Sequence, residues 1–245
     1  MFGLDAIQLI VFAIAVIITG ISKSGFAGGL GVVTVPLLSL FMSPVLAVSL
    51  MLPTLLLMDA MSLKAWWGKH NTLMLLILVP SGIAGVFVGY FTFTLISESH
   101  IRLLLGIVTL LFGIHGLAKF GTSKPLKNAY GGLFGLLGGF TSFVSHAGGP
   151  PLNFFLLSQS ISKHAYLATA VVFFAAINTA KIPPYIALGQ FSLENILLAL
   201  AFSPIAFVGI RAGIVLQDKL NERVFFKVIY ILLILLGISL ISRSL

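Results

Sequence analysis

The chain of 245 residues contains no cysteine and few charged residues. Without cysteine there are no disulfides, thiolate metal ligands, iron–sulfur clusters or cysteine nucleophiles. Charged residues make up 8% of the chain, whereas a soluble domain carries about 25%. The five histidines are scattered and none has a second histidine one helical turn away. We therefore expect no metal site and no cofactor.

Hydrophobic residues make up 59% of the chain, and its mean hydropathy is +1.15. This composition predicts an all-α protein that crosses the lipid bilayer several times. A net charge of +8 would suggest nucleic-acid binding in a soluble protein, but most of these lysines and arginines lie in short segments between apolar runs. That distribution indicates membrane topology and no nucleic-acid partner. The N-terminus lacks the pattern of a cleaved signal peptide, so we expect it to be retained.

Apolar runs near the ~20 residues that cross a ~30 Å hydrocarbon core predict six full spans. They are Val45–Leu63, Leu73–Leu95, His100–Ala118, Ala165–Leu188, Leu193–Leu216 and Val224–Ile241. Two other apolar segments, Ala6–Phe41 and Tyr130–Leu157, are long for one straight helix and short for two complete ones. We expect both of these segments to be broken within the membrane.

The two broken segments carry the same break, an Ala-Gly-Gly sequence at residues 27–29 and again at 147–149. Further residues match at a constant offset of 124, namely Gly85 with Gly209, Gly89 with Gly213, and Glu98 with Glu222. These matches predict two homologous repeats within a single membrane domain, at residues 1–120 and 121–245. Broken apolar segments in matching halves of a membrane protein indicate a transporter binding site.

The positive-inside rule distinguishes two ways of threading these repeats. If each broken segment crosses once, each repeat has four spans, and the eleven lysines and arginines outside the apolar spans divide six inside to five outside. If each broken segment is a re-entrant hairpin, each repeat has three full spans, the repeats are inverted, and the division is nine to two. We favour the inverted arrangement with both termini outside. The arrangement of four plus four spans is the alternative.

The breaks themselves predict where a ligand binds. Irregular backbone at membrane depth persists only where protein or a water-filled cavity satisfies its polar groups. Glycine lets the backbone approach a ligand, and helix N-termini bind anions. Close helix packing is the simpler explanation for the glycines. The expected substrate contacts are Lys23, Ser24, Gly25, Gly28, Gly29, Ser142, His146, Gly148, Gly149, Asn178 and Lys181.

Ionisable residues within the apolar runs predict the charge of the cargo. Lys23 lies deep in the first broken segment, and Asp59 is the one carboxylate within an apolar run and hence its candidate ion-pair partner. Asn178 and Lys181 are three residues apart and share a helix face, where an amide and an ammonium suit an oxyanion. Because the lysines outnumber Asp59, we expect an electropositive cavity and an anionic substrate. His146 and Asp59 are the candidates for carrying a coupling proton.

Two other functions fit parts of this pattern. An anion channel needs the same electropositive cavity but no coupling ion. An intramembrane serine hydrolase is suggested by Ser145 and His146, but adjacent residues cannot form the usual Ser–His hydrogen bond. We therefore expect a transporter and not an enzyme.

Three stretches together resemble the sulfite exporter TauE/SafE family, also known as the TSUP permeases. They are GISKSGFAGGLGVVTVPLL, TSFVSHAGGPPLNFFLL and NTAKIPPYIALGQF, and the likeness runs from about Thr19 to Leu240. The resemblance implies a secondary transporter of small anions, with sulfite, organosulfonates and related sulfur-containing or carboxylate anions as candidate cargoes. It also implies an internal duplication.

The same resemblance implies that residues 23–29 and 146–151 lie on the substrate path, with Asn178 and Lys181 beside it. We expect alternating access around a site near the midplane of the cytoplasmic (inner) membrane, with protons as the candidate coupling ion. A homodimer is a candidate assembly.

Overall fold

The computed structural model describes residues 3–25, 28, 31–118, 126–127, 130–159, 161–216 and 222–244. The regular elements in these ranges are all helices. The first repeat contains α1 (Ala6–Gly25), a 3-10 turn (Gly31–Val33), α2 (Thr34–Leu38), α3 (Pro44–Trp66), α4 (Thr72–Leu95) and α5 (Glu98–Ala118). The second contains α6 (Tyr130–Ser145), α7 (Gly149–Leu157), α8 (Lys163–Ala180), α9 (Ile182–Ala187), α10 (Leu193–Ala201), α11 (Ser203–Leu216) and α12 (Glu222–Ser242).

In the described part of the chain, five helical segments are long and apolar enough to cross a membrane. They are α1, α3, α4, α5 and the continuous run of α8 and α9. A sixth is formed by α10 and α11, which meet at a bend of 54°. These lengths confirm the prediction of an all-α, multi-pass membrane protein.

The bend between α10 and α11 differs from the single straight span predicted over Leu193–Leu216. Pro204 lies in the first turn of α11, where its ring removes a backbone donor and clashes with the preceding turn. The run from α8 to α9 stays a single membrane-spanning length, although Pro183 and Pro184 lie in the first turn of α9.

Each broken segment folds back on itself as a hairpin. In the first, Gln8 Nε2 donates to the carbonyl of Phe41 at 2.9 Å, which joins the beginning of the segment to its end. In the second, Gln159 Nε2 donates to the carbonyl of Leu126 at 3.1 Å. A segment that enters a membrane and returns to the same face requires this geometry.

Matched glycines let each hairpin lie directly against a helix of the other repeat. A Cβ atom on Gly85 of α4 would lie 2.8 Å from the backbone nitrogen of Phe140 in α6. A Cβ atom on Gly209 of α11 would lie 2.8 Å from the carbonyl oxygen of Ile17 in α1. The interpretation of these matched glycines as helix-packing positions is confirmed.

The last helices of the two repeats, α5 and α12, run in opposite directions. Gly106 of α5 lies against Ile241 near the end of α12, whereas Gly113 lies against Ile234, nearer the middle. Parallel repeats would place these matched helices in the same direction. Their antiparallel packing therefore supports the inverted arrangement.

A second matched pair, α3 and α8, also packs antiparallel. Trp66 at the end of α3 contacts His164 near the start of α8, with ring centroids 6.0 Å apart. Further along, Asp59 of α3 meets Asn178 near the end of α8. The inverted relationship in the membrane stays a prediction, and two matched helix pairs support it.

The two threadings predict different labelling of single cysteines. Lys69 and Lys163 lie on one side of the membrane if the repeats are inverted, and on opposite sides if each repeat has four spans. In this cysteine-free chain, we expect Lys69→Cys and Lys163→Cys to react with an impermeant thiol reagent from the cytoplasmic side, and Ser97→Cys from the periplasmic side. Labelling of Lys69→Cys and Lys163→Cys from opposite sides would exclude inverted repeats.

The packing of the second hairpin predicts that alanine substitutions at two glycines of α6 have very different effects on stability. Gly139 lies against the carbonyl of Gly82, whereas nothing lies within 4 Å of a Cβ atom placed on Gly132. We expect Gly139→Ala to lower the free energy of unfolding by ~1–3 kcal/mol, because the methyl group forces α6 and α4 apart. Gly132→Ala is the matched control and should be neutral or stabilising. Thermal unfolding in detergent measures both, and equal melting temperatures would contradict the packing argument.

Candidate functional site

Lys23 lies in the last turn of α1 and forms a buried ion pair with Asp59 of α3. The ammonium also donates to the carbonyl of Leu55 at 3.2 Å. Both charged side chains are less than 10% exposed. Since one buried charge without its partner costs about 3–5 kcal/mol, the ion pair fixes the first hairpin against α3.

Asn178 extends this ion pair into the second repeat. Its Nδ2 donates to the second carboxylate oxygen of Asp59 at 2.7 Å, and its Oδ1 accepts from Lys181 Nζ at 2.9 Å. Ser43 and Ser162 cap the starts of α3 and α8, and Asp59 and Asn178 each lie sixteen residues beyond the capping serine. The two repeats therefore meet at equivalent positions of equivalent helices.

Lys181 is fully buried at the junction of α8 and α9. Besides Asn178, its Nζ donates to Ser142 Oγ at 2.7 Å and lies 3.1 Å from His146 Nδ1. These three contacts use all three ammonium protons, but the partners are neutral and supply no counterion for the charge. The same-face prediction for Asn178 and Lys181 is confirmed by their direct hydrogen bond.

His146 follows directly after α6 with a φ of 52°, in the left-handed region that favours glycine. The backbone N–H of His146 donates to Ser142, and that of the next residue, Ala147, donates to Thr141. The bond from His146, which has left-handed φ, to Ser142 is the αL motif that ends α6. A non-glycine residue in this conformation costs about 1–2 kcal/mol, and such strain persists where the surrounding structure holds it in place.

The ring of His146 is held at both nitrogens. Nε2 lies 2.9 Å from the carbonyl of Val48, which can only accept, and Nδ1 faces the ammonium of Lys181. We assign the neutral tautomer with the proton on Nε2, because each contact then joins one donor to one acceptor. His146 thus links the second hairpin to both α3 and α8.

The first hairpin tip is closed by its own hydrogen bonds. Gly28 has a φ of 74°, and its N–H donates to the carbonyl of Ser22 at 3.1 Å. The hydroxyl of Ser22 accepts from the N–H of Gly31 at 2.8 Å. The amide of Gly28, one of the expected substrate contacts, is therefore already engaged.

A small cavity lies between the two tips and measures about 20 Å³, room for roughly one water molecule. Both hairpins, α3 and α8 contribute to its wall. The lining residues are Thr19, Ser22, Lys23, Gly28, Gly31, Leu55, Ser142, His146, Phe174 and Asn178. We call this space the tip cavity.

The structure brings most of the predicted contacts together, but not all of them. Ser24 turns away from the tip cavity and donates to the carbonyl of Ile210 in α11 at 2.8 Å, and Gly25 packs against Gly213 of the same helix. Gly29 lies outside the described residues. Those in the wall are Lys23, Gly28, Ser142, His146 and Asn178; Asp59 and Lys181 adjoin them, Gly148 contacts Ser142, and Gly149 begins α7.

The sequence reasoning missed several residues of the cavity wall. Thr19 and Ser22 lie one turn apart on α1, toward the start of the chain from Lys23, and their polar character within an apolar run was an available signal. Phe174 and Leu55 have no such signal, because apolar residues are common throughout this chain. The contact of His146 with the backbone carbonyl of Val48 could not be predicted from the sequence either, since every residue has a backbone carbonyl.

The contacts of the second hairpin do not form a hydrolase site. The hydroxyl of Ser145 donates to the carbonyl of Thr141, and both nitrogens of His146 are engaged elsewhere. Lys181 donates all three ammonium protons and is therefore not placed as a base for Ser142. The arrangement instead surrounds a small space with fixed hydrogen-bond donors.

Comparison with known proteins assigns the chain to a family. The model of the family described as sulfite exporter TauE/SafE matches residues 12–240, almost the whole chain. No curated protein and no solved structure matches it. The family is one of membrane transporters and not of enzymes. With its paired hairpins, buried lysines and matched sequence, this chain belongs to the sulfite exporter TauE/SafE family.

Proposed function

We propose that this chain is a secondary active transporter that carries small anions across the cytoplasmic membrane and binds them in the tip cavity. The observation that carries the proposal is the burial of two lysines beside the hairpin tips, Lys23 in the first hairpin and Lys181 in contact with the second. Among the described residues, Lys23 and Lys181 are buried together with a single carboxylate, Asp59. Membership of a transporter family supports the same function.

The charge balance of the site selects an anion. With His146 neutral, the two ammonium groups and Asp59 leave one positive charge inside the protein. Such a charge is stable in a low-dielectric interior only with hydrogen bonds or a counterion. A bound anion supplies that counterion. The hydroxyl of Ser142 and the amide of Asn178 are placed to orient it.

The tip cavity has room for about one water molecule in this structure, so a compact cargo requires the least opening of the site. Sulfite, small organosulfonates and small carboxylates have one charged group and little additional volume. The family description supports sulfite in particular. The site holds no extended apolar groove for a long substrate tail, because its wall alternates polar side chains with Leu55 and Phe174.

Asp59 is the stronger of the two candidates for proton coupling. The Asp59 carboxylate is ion-paired with the Lys23 ammonium in this structure, so an anion that reaches Lys23 competes with that carboxylate. Protonation of Asp59 removes that competition and leaves the ammonium free for the cargo. One proton and one anion then enter the site together, which is the basis of coupled transport. His146 is the second candidate, but its two nitrogens already join α3 and α8.

Alternating access follows from the hairpins. We infer that the repeats are inverted and that each tip closes the site from a different side of the membrane. Rocking of one hairpin with its partner helix against the other pair opens the tip cavity to one side at a time. The antiparallel packing of matched helices supports this mechanism. An anion channel needs an open path, and the small size of the tip cavity, about 20 Å³, favours the transporter instead.

Transport in liposomes tests the site most directly with the double variant Lys23→Ala/Asp59→Ala. Removing both charges together avoids leaving one buried and unpaired, so we expect the protein to fold. We expect the unaltered protein to concentrate sulfite, methanesulfonate or acetate when a proton gradient is imposed. The double variant should lose at least about 90% of this uptake, because the anion loses its counterion.

Lys69→Ala is the matched control, because Lys69 lies over the ring of Trp66 with its ammonium 5.5 Å from the ring centroid. Its uptake should equal that of the unaltered protein. Full uptake by the folded double variant would show that the ion pair is structural and that the proposed site is wrong. Anion movement only down its own gradient, without response to protons, would identify a channel.

A glycine at position 146 separates the role of the imidazole from that of the backbone. The φ of 52° favours glycine, so the strain relieved in His146→Gly should offset part of the stability lost with the contacts to Val48 and Lys181. Uptake should fall about tenfold, because the variant lacks the contact to Lys181. His146→Ala keeps the strain and should be less stable than the glycine variant. Unchanged uptake by His146→Gly would remove His146 from the site.

A further inference from the structure

A second small cavity lies on the other side of the central ion pair. Lys23, Asp59, Ser62, Val171 and Phe174 line it, and we call it the Ser62 cavity. It shares Lys23 and Phe174 with the tip cavity. The ammonium of Lys23 therefore borders both spaces.

Ser62 is the unexplained polar group of this region. Its side chain is 2% exposed, and its hydroxyl has no hydrogen-bond partner among the described residues. A buried hydroxyl without a partner is unfavourable, and each such group in a native structure calls for an explanation. The hydroxyl faces the same space as Lys23 and Asp59, where it can donate to a bound oxyanion.

In the internal repeat, Ser62 of α3 occupies the position equivalent to Lys181 at the end of α8. It lies nineteen residues beyond the capping Ser43, and Lys181 lies nineteen residues beyond the capping Ser162. Lys181 supplies hydrogen-bond donors to the side chains of the second hairpin. Ser62 occupies the equivalent place beside the first hairpin, but none of the residues that the structure describes hydrogen-bonds to its hydroxyl.

Phe174 separates the two cavities. A Cβ atom on Gly28 would lie 2.7 Å from its Cε2, and one on Gly148 would lie 3.1 Å from its Cε1. The ring is therefore held between the two hairpin tips and lines both cavities. Movement of either tip changes the space available to the ring.

The Ser62 cavity measures about 10 Å³, the least that holds one water molecule, so an anion enters it only when the surrounding groups move apart. We propose that it is then a second binding station for the transported anion, and that Ser62 contacts the anion there. This inference rests on the proposed function and adds a step to it. The anion passes from the tip cavity to the second station by moving around Lys23, which stays in contact with it throughout. Phe174 closes the passage until a hairpin tip moves. Since α3 continues from Ser62 toward Trp66, the inferred topology places this station on the cytoplasmic side of the site.

Ser62→Ala tests the second station by comparison with Ser49→Ala. Ser49 lies on the same helix and is also buried, but its hydroxyl donates to the carbonyl of Val45 at 2.7 Å. We expect Ser62→Ala to reduce the maximal rate of sulfite uptake about tenfold, because a hydrogen bond to the charged cargo is lost. Equilibrium binding of sulfite at the tip cavity should stay within about twofold of the unaltered protein. Ser49→Ala should change neither quantity.

We expect Ser62→Ala to fold, because removing an unpaired buried hydroxyl should leave the melting temperature equal or higher. A lower uptake rate would therefore not reflect unfolded protein. A Ser62→Ala rate equal to that of Ser49→Ala would overturn the second station. If the unaltered protein carries no sulfite, methanesulfonate or acetate, the proposed function fails and the station fails with it. Phe174→Ala provides a second measurement, with an expected rise in sulfite leak that is not driven by protons. A variant without such a leak would contradict the closing role of Phe174.

Discussion

The ion pair between Lys23 and Asp59 joins a hairpin and a helix at the centre of a membrane protein, and Asn178 extends it to the other repeat. Inside a bilayer neither charge is stable without a partner. Any movement that separates the first hairpin from α3 therefore requires a substitute for the lost partner. In the proposed mechanism, an anion substitutes for the carboxylate at Lys23, and a proton substitutes for the ammonium at Asp59. This exchange links cargo, proton and conformation through one contact.

The glycines at helix contacts position the hairpins so that Lys23 and Asp59 can form their ion pair. They allow α1 to lie against α11 and α6 to lie against α4, so each hairpin is carried by a helix of the other repeat. The tips then meet around Phe174, with Gly28 and Gly148 on its two sides. The strained backbone of His146 turns its ring toward Lys181 at the same depth. Close packing and strain together place polar groups where the bilayer would otherwise exclude them.

Local sequence patterns predicted the hairpins and two of the polar contacts at the site, because these depend on residue type and spacing. Repeated Ala-Gly-Gly breaks indicated the hairpins, an isolated Asp59 indicated the partner of Lys23, and a spacing of three indicated the contact between Asn178 and Lys181. Long-range packing determined what the sequence did not show. Ser24 faces α11 and not the tip cavity, and one phenylalanine among 21 lies between the tips.

Isothermal titration calorimetry of sulfite binding in buffers of different ionisation enthalpy counts the protons bound with the anion. The account predicts uptake of about one proton for each anion by the unaltered protein, because Asp59 must be neutralised when the cargo takes its place at Lys23. In Asp59→Asn, sulfite should still bind and the proton uptake should disappear. Sulfite binding without proton uptake by the unaltered protein, or equal uptake by Asp59→Asn, would contradict the exchange at Lys23.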